Sequence, residues 1–175
     1  MMTARNPFSR IVIDSEANHL LDEASKIWVV AVEDIDDPSH TETMRTEGEL
    51  IEFLLARLPT VVVGHNLIGY DLPLLRKVWG IDYTLGSDED ALLGSPCEFI
   101  DTFHLSQFLN PDRPGGHSLA DLSKRCGSFK QGYTGGFGAY TPELEAYCVQ
   151  DVHACVAVYK SLITELEKRN SNGHS

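Results

Sequence analysis

Carboxylates interrupt three segments of this chain that are otherwise apolar enough to be buried. Asp14 and Glu16 end a run of Ile and Val residues, Asp71 follows a second apolar run, and Asp151 lies in a third, four residues after Tyr147. An unpaired charge in a protein interior is costly, and hard cations such as Mg²⁺ prefer oxygen ligands. The pattern therefore predicts a fold in which the three segments bring their carboxylates together around a metal site.

The first two motifs each have a plain structural alternative. Asp14 and Glu16 stand two residues apart in a predicted strand and so share one face of it, but acids are also common where a strand enters solvent. Asp71 opens a predicted helix, whose N-terminal end favours an acid on its own account, so a helix cap and a ligand are equally consistent. His65 and Asn66 follow a buried strand, at the sheet edge where α/β proteins usually contact ligands.

The third motif discriminates best, because Tyr147 and Asp151 are four residues apart and share one face of a predicted helix. Apolar residues lie on or beside the same stripe, which therefore points inward: Leu144, Cys148, Cys155 and Tyr159. A solvated acid belongs on the opposite face, so Asp151 needs a buried partner, and a metal shared with Asp14 is the simplest one. Tyr147 can orient an attacking water or help to deprotonate it; a core tyrosine is the alternative.

Two divalent cations held side by side stabilise both the attacking and the leaving oxygen of a phosphodiester. Together the motifs predict a metal-dependent nuclease. A formal charge of −12, from 26 acidic residues against 14 Lys and Arg residues, argues against a broad basic platform for nucleic acid. We therefore expect contacts confined to the metal site and a few nearby bases, with weak binding and a shallow salt dependence when the protein acts alone.

The remaining pattern predicts a mixed α/β sheet flanked by helices, with an antiparallel first part. Strands are predicted at residues 10–14, 27–32, 41–45, 60–63 and 98–100, and helices at 47–58, 72–79, 102–109, 119–126 and 142–168. An acidic, irregular loop is predicted at residues 86–96 and a glycine-rich loop at 127–140.

A chain of 175 residues fits one ordinary domain, predicted at 10–168 between an N-terminal tail (1–9) and a disordered C-terminal tail (169–175). Its four cysteines have no paired metal spacing, which favours free buried thiols in a reducing compartment. There is no apolar run long enough to span a bilayer and no signal-peptide pattern. We expect a protein of the cytoplasm of a bacterium or a phage-infected host, with no membrane contact.

The three motifs resemble those of the DEDD superfamily of 3′–5′ exonucleases, in the subtype with tyrosine in its third motif. The resemblance is greatest to the proofreading exonuclease domains of family A DNA polymerases, especially podophage enzymes, and extends from about Arg10 to Leu166. Supporting matches are Leu20 after the first motif, Ile100-Asp101-Thr102 before one helix, and Gly116-His117-Ser118-Leu119 at the start of another. The resemblance implies a ribonuclease H-like fold and release of nucleoside 5′-monophosphates from a 3′ end.

Residue roles follow from the same resemblance. Two Mg²⁺ or Mn²⁺ ions would be bound by the four carboxylates Asp14, Glu16, Asp71 and Asp151, and Tyr147 would hold the water. Leu20 would wedge against the terminal base, with core packing as its alternative. Substrate contacts would come from Ser15, Leu20, His65, Asn66, Tyr70, His117 and Ser118. Asp101 is expected to fix the structure and not to bind metal.

The leading hypothesis is a stand-alone exonuclease that prefers single-stranded or frayed DNA. The chain ends where a polymerase domain would begin, so it would serve a separate DNA polymerase or another replication protein as an editing subunit, or would trim nucleic acid alone. A ribonuclease D-like RNA exonuclease is the alternative, because those enzymes share the same five positions. An inactive ribonuclease H-like binding module is a third reading, which the presence of all four carboxylates disfavours.

Overall fold

A five-stranded sheet organises the protein, with its strands in the order 41–44, 27–34, 10–17, 61–64 and 98–101. The computed structural model describes residues 5–86, 89–128 and 131–172. The strands of this sheet are β1 Arg10–Ala17, β2 Ile27–Asp34, β3 Thr41–Met44, β4 Val61–Gly64 and β8 Glu98–Asp101, and those of a smaller sheet are β5 Tyr83–Thr84, β6 Ala91–Leu92 and β7 Ser95–Pro96. The helices are α1 Glu47–Arg57, α2 Leu72–Trp79, α3 Thr102–Leu109, α4 Leu119–Arg125 and α5 Pro142–Asn172, and a π-helical turn, Leu67–Asp71, precedes α2.

The first three strands of the main sheet are antiparallel, and the other two run parallel to β1. β1 pairs with β2 and β2 with β3 in the antiparallel sense, whereas β4 lies parallel to both β1 and β8. This arrangement confirms the predicted mixed sheet. The parallel pairing brings the C-terminal ends of β4 and β8 to the end of the sheet at which β1 also finishes.

Side-chain alternation along β1 separates two hydrophobic layers. Ile11 and Ile13 pack in the layer that includes residues of α1 and α2. Val12 belongs to the layer on the other face, which includes residues of α4 and α5. Residues 14 and 16 have the same parity as Val12 and therefore face α5, whereas Ser15 faces the α1 and α2 side. The alternation thus decides which helix each polar residue of β1 can meet.

Residues 91–96 form the hairpin of β6 and β7, which with β5 makes a three-stranded sheet, so the irregular loop predicted for 86–96 was wrong over 91–96. Residues 87 and 88 lie outside the described residues. Leu93 and Gly94 connect β6 to β7 with positive φ angles of 49° and 76°, which is the geometry of a two-residue hairpin turn. Strands of two residues are too short to leave a detectable periodicity in the sequence.

The described residues of both predicted tails pack against the rest of the domain. Helix α5 continues through Asn172, so the disorder predicted from residue 169 was wrong for 169–172; residues 173–175 lie outside the described residues. Arg169 stacks 5.6 Å from the ring centre of Phe108, which holds this last turn against α3. In the N-terminal segment, Phe8 is buried and its ring lies 5.0 Å from that of Phe53. Among the described residues, no helix has the length and apolarity to cross a membrane.

Candidate active site

The end of β1 supplies two acids that meet helix α5. Asp14 and Glu16 lie on the strand face that packs against this helix, and both are partly buried. The thiol of Cys148 is 3.5 Å from Asp14 Oδ2 and 3.5 Å from the backbone oxygen of Asp14. One potential ligand atom from each of Asp14, Glu16 and Cys148 lies within 4.8 Å of the others. Carboxylate oxygens and a thiol thus converge in one small volume.

The π-helical turn brings a third acid close enough for its charge to raise the pKa of Asp14. The N–H of Leu72 donates to the carbonyl of Leu67, five residues earlier, and Asn66 begins the turn in the left-handed conformation with φ 59°. Asp71, the last residue of the turn, is 2% exposed and accepts a hydrogen bond from the Ser15 hydroxyl. Ser15 can reach it because it lies on the opposite face of β1 from Asp14 and Glu16. Alternate residues of β1 therefore contact two different helical segments, α5 on one face and the π-helical turn on the other.

Helix α5 contributes the fourth acid and the tyrosine. Thr141 Oγ1 accepts a hydrogen bond of 3.1 Å from Leu144 N, which fixes the start of the helix. Asp151 is 5% exposed and faces inward, one turn after the half-buried Tyr147. The charges of Glu16, Asp71 and Asp151 all act on Asp14, so the four carboxylates from β1, the π-helical turn and α5 are hereafter called the acidic cluster: Asp14, Glu16, Asp71 and Asp151.

Two carboxyls of the acidic cluster have raised pKa values. Burial raises the pKa of Asp14 well above its usual value, and the neighbouring charges of Asp71, Asp151 and Glu16 raise it further. Burial also raises the pKa of Asp71 to about 7, against an opposing effect of the hydrogen bonds from Ser15. Oxygen donors in such a group suit a hard divalent cation such as Mg²⁺ or Mn²⁺. The donor set therefore fits the predicted metals.

Without a metal, this protein should lose stability as the pH rises. The folded-state pKa of Asp71, about 7, exceeds its ordinary value of 3.8, so its contribution to stability is complete below about pH 4 and is lost as the pH rises through 7. In chelator we expect the Tm to fall by roughly 5 °C or more between pH 5 and pH 8, since about 1 kcal/mol shifts the Tm of a domain this size by about 2–4 °C.

Thermal unfolding of Asp71→Asn tests the cause of that fall. The amide cannot ionise but can still accept the Ser15 hydrogen bond, so the variant should keep a much flatter profile between pH 5 and pH 8. Asp112→Asn, which removes an exposed carboxylate, controls for the change in net charge. Equal slopes in Asp71→Asn, Asp112→Asn and the unmodified protein would contradict this assignment.

Asp101 anchors the segment that leads to the π-helical turn. Its buried carboxylate accepts hydrogen bonds of 3.0 Å each from three backbone N–H groups, those of Asn66, Ile68 and Phe103. It stands at the end of β8 and caps α3 at the same time. These contacts account for Asp101 as a structural residue, the role predicted for it. The turn, and with it Asp71, is thus held in place by the neighbouring strand.

Other predicted substrate contacts lie around this turn. His65 Nδ1 is 2.9 Å from the hydroxyl of Thr102, and its ring meets Phe103 edge to face. The Asn66 side chain folds over Gly69, where a Cβ would overlap Asn66 Oδ1, so a larger residue there would displace the Asn66 amide. Tyr70 Oη donates to the carbonyl of His19 over 3.3 Å. Burial, with the charge of Asp71 next in effect, raises the pKa of Tyr70 to about 12.

A groove of about 410 Å³ opens beside the acidic cluster. Its lining includes Glu16, Leu20, Tyr70 and Phe137. The side chain of Leu20 is 81% exposed, so the alternative of core packing for this residue was wrong. An exposed leucine beside a tyrosine and a phenylalanine offers an apolar surface of the kind that a planar ring can contact.

His117 and Ser118 serve local structure and do not join the acidic cluster by any described contact. The two ring nitrogens of His117 lie 2.8 Å from Ser106 Oγ and 3.1 Å from the carbonyl of Pro111. Ser118 Oγ accepts from Asp121 N over 3.1 Å and so caps α4. Their role in substrate binding stays a prediction.

Sequence reasoning missed several neighbours of the site. Cys148 was expected to be an ordinary buried thiol, yet it contacts Asp14; its inward-facing position on the same helical stripe as Asp151 was the available signal. Tyr133 and Phe137 were assigned only to a glycine-rich loop, but the ring of Tyr133 lies 5.2 Å from that of Tyr147. No local pattern in the sequence identifies that contact, because it depends on how the loop folds back over α5.

Comparisons with known proteins identify the fold. The chain matches no protein-family model, and a search of curated proteins gave no match. Among solved structures, Brucella melitensis NrnC bound to pGG superposes with a TM-score of 0.68 and 17% identity, covering 97% of this chain and 79% of that one. The catalytic core of RRP6 from Trypanosoma brucei gives 0.66 and 19%, covering 95% of this chain and 44% of that one.

The family B DNA polymerase from the archaeon Pyrobaculum calidifontis is a further structural neighbour. It has a TM-score of 0.66 and 16% identity, and the match covers 87% of this chain but only 24% of the polymerase. The chain thus spans less than half of two of these three neighbours. At such identities the likeness establishes the fold, a ribonuclease H-like mixed sheet flanked by helices.

Proposed function

We propose that this chain is a metal-dependent 3′–5′ exonuclease that removes nucleoside 5′-monophosphates from single-stranded or frayed nucleic acid, with DNA as the preferred substrate. The observation that carries the proposal is the convergence of four carboxylates from three separate elements. The pKa values of Asp14 and Asp71 are raised because their ionised forms are unfavourable in this setting. A bound cation would stabilise those ionised forms. The structural neighbours support it: one is described as NrnC with bound Mg²⁺ and another as NrnC bound to pGG.

In this proposal the four carboxylates of the acidic cluster hold two divalent cations, Mg²⁺ or Mn²⁺. The cations would polarise the phosphodiester and stabilise the charge that develops on its oxygens. Asp14, whose pKa is raised by the charges of the other three acids, would be one of the ligands that hold these cations. Glu16, Asp71 and Asp151 would supply the other carboxylate ligands.

Tyr147 would orient the attacking water in the same proposal. It stands on the inner face of α5, one turn before Asp151, so a water bound beside the acidic cluster lies within reach of that face. A group that positions water or accepts its proton is worth roughly 10²–10⁴-fold in rate. Loss of the hydroxyl in Tyr147→Phe should therefore cost less than loss of a carboxylate ligand.

The groove beside the cluster would receive the terminal nucleotide. Leu20, exposed at its edge, would wedge against the last base, and Tyr70 and Phe137 would line the other walls. Such a wedge requires the last base to leave its neighbour, which explains the proposed preference for unpaired ends. With 14 Lys and Arg residues against 26 acids, tight binding over a long tract is not expected. A separate DNA polymerase or replication protein would supply further affinity.

The direct test is cleavage of matched single-stranded DNA and RNA, each labelled at its 5′ end, with Mg²⁺ present. We expect a ladder of labelled products that shortens from the 3′ side, with DNA cut faster than RNA. Blocking the 3′ end with a terminal phosphate provides the matched control and should stop the reaction. Immediate release of a labelled 5′ mononucleotide would overturn the polarity, and faster cleavage of RNA would favour a ribonuclease D-like enzyme.

A further inference from the structure

A tyrosine of the glycine-rich loop lies against the tyrosine proposed to orient water. The rings of Tyr133 and Tyr147 are 5.2 Å apart between centroids and inclined by 30°. Both residues are half-buried. This tilted ring–ring contact is a favourable aromatic contact, and it places the Tyr133 ring against one side of the Tyr147 ring. Rotation of Tyr147 toward that side is therefore blocked by Tyr133.

A chain of contacts connects Tyr133 to the main sheet. Tyr133 Oη donates to the carbonyl of Gly136 over 3.1 Å, and its ring meets Phe137 edge to face at 5.3 Å. The carbonyl of Phe137 in turn accepts a hydrogen bond of 2.8 Å from Trp28 Nε1, on β2. These contacts attach the loop to β2 and hold Tyr133 against Tyr147 of α5.

The loop also contains a glycine that the position of Tyr133 requires. A Cβ built on Gly135 would overlap the phenol ring of Tyr133, whereas one built on the adjacent Gly136 meets no heavy atom within 4 Å. Neither glycine has a positive φ among the described residues, so alanine at either site is compatible with the backbone. Two neighbouring glycine-to-alanine changes therefore differ mainly in whether they displace Tyr133.

We infer that Tyr133 is a positioning residue, which holds the Tyr147 side chain in the orientation that presents its hydroxyl to the attacking water. The inference rests on the proposed exonuclease function. Tyr133 acts here through the Tyr147 ring, without touching the reacting atoms. Small displacements of a group that orients a reactant can be costly in rate, so the loop contributes to the chemical step and not only to the wall of the groove.

A double-mutant cycle tests the inference. Tyr133→Ala should lower kcat about tenfold with KM within about twofold, and Tyr133→Phe, which keeps the ring, should retain at least half of the activity. In a Tyr147→Phe background, Tyr133→Ala should cost less than a further twofold, because residues that act through one another are non-additive. Additive losses, or a change confined to KM, would overturn the positioning role in favour of an independent contact with substrate.

Gly135→Ala and Gly136→Ala provide the matched pair. Gly135→Ala should reproduce the loss of kcat, and Gly136→Ala should behave as the unmodified protein, with equal Tm values for both. Ring-labelled tyrosine NMR adds a readout that needs no activity: the Tyr147 ring signals, identified by their absence in Tyr147→Phe, should shift in Gly135→Ala and Tyr133→Ala but not in Gly136→Ala.

The outcomes separate this inference from the function on which it rests. Unchanged Tyr147 signals in Tyr133→Ala, or equal kcat in the two glycine variants, would overturn the positioning role in a protein that still degrades nucleic acid. An unmodified protein that cleaves neither DNA nor RNA with Mg²⁺ or Mn²⁺ would overturn the proposed function, and the positioning role with it.

Discussion

Asp14→Asn should abolish nearly all cleavage and at the same time make the protein more stable in chelator at pH 8. The loss of activity should be at least about 10³-fold, because the cations that Asp14 would help to hold would stabilise both the attacking and the leaving oxygen. The gain in Tm follows from the raised pKa of Asp14, which reflects its burial and three neighbouring acids. Removing one charge from such a group relieves repulsion and desolvation.

Opposite changes in activity and stability distinguish a ligand from a residue that only supports the fold. The cleavage assay and a thermal melt on the same preparation measure both, and Asp112→Asn, at an exposed position, should change neither. Near-normal cleavage by Asp14→Asn would contradict the two-metal mechanism. A lower Tm together with lost activity would instead indicate that the carboxylate is needed for folding.

Chelator should eliminate cleavage by the unmodified protein, and Mg²⁺ or Mn²⁺ should restore it. The same cations should raise the Tm, because a ligand that binds only the folded state at about 100 times its Kd stabilises by about 2.7 kcal/mol. The increase should be larger at pH 8 than at pH 5, since protonated carboxylates of the acidic cluster must lose their protons to bind metal. Ca²⁺ should raise the Tm yet support little turnover, because it accepts looser geometry than Mg²⁺.

Asp151→Asn serves as the matched variant for the metal experiment. Asp151 is buried, and asparagine has nearly the same size as aspartate. The substitution therefore keeps the packing and removes one carboxylate. The increase in Tm with Mg²⁺ should shrink or disappear in this variant. A Tm of the unmodified protein that does not respond to Mg²⁺, together with cleavage that persists in chelator, would show that the acidic cluster works without a cation.

The sequence was sufficient to predict the main sheet and the faces of its elements. The strands β1, β2 and β4 were predictable because each is a run of β-branched residues long enough to detect. These strands form the centre of the mixed sheet that the structure confirms. The inward position of Asp151 followed from helical spacing alone. That four acids could share one volume was inferred from three motifs in combination, since each motif had a structural alternative when taken singly.

Features that depend on contacts between distant segments were not predictable in this way. The hydrogen bond from Ser15 to Asp71 joins residues 56 apart, and the contact between Trp28 and Phe137 joins residues 109 apart. The last turn of α5 and the small sheet were missed for a local reason. The strands of that sheet have only two residues each, and the end of α5 is too polar to show a helical pattern of apolar residues.

The π-helical turn sets a rule for insertions and deletions. The π-helical turn lies between the end of β4 at Gly64 and the start of α2 at Leu72. Its hydrogen bond from Leu72 N to Leu67 O joins residues five apart, whereas the hydrogen bonds of an α-helix join residues four apart. Deletion of one residue there would restore α-helical winding and rotate all that follows by about 100°. Asp71 would then leave the acidic cluster although its neighbours were unchanged. We therefore expect the number of residues in this segment to be as important to the site as the Asp71 side chain itself.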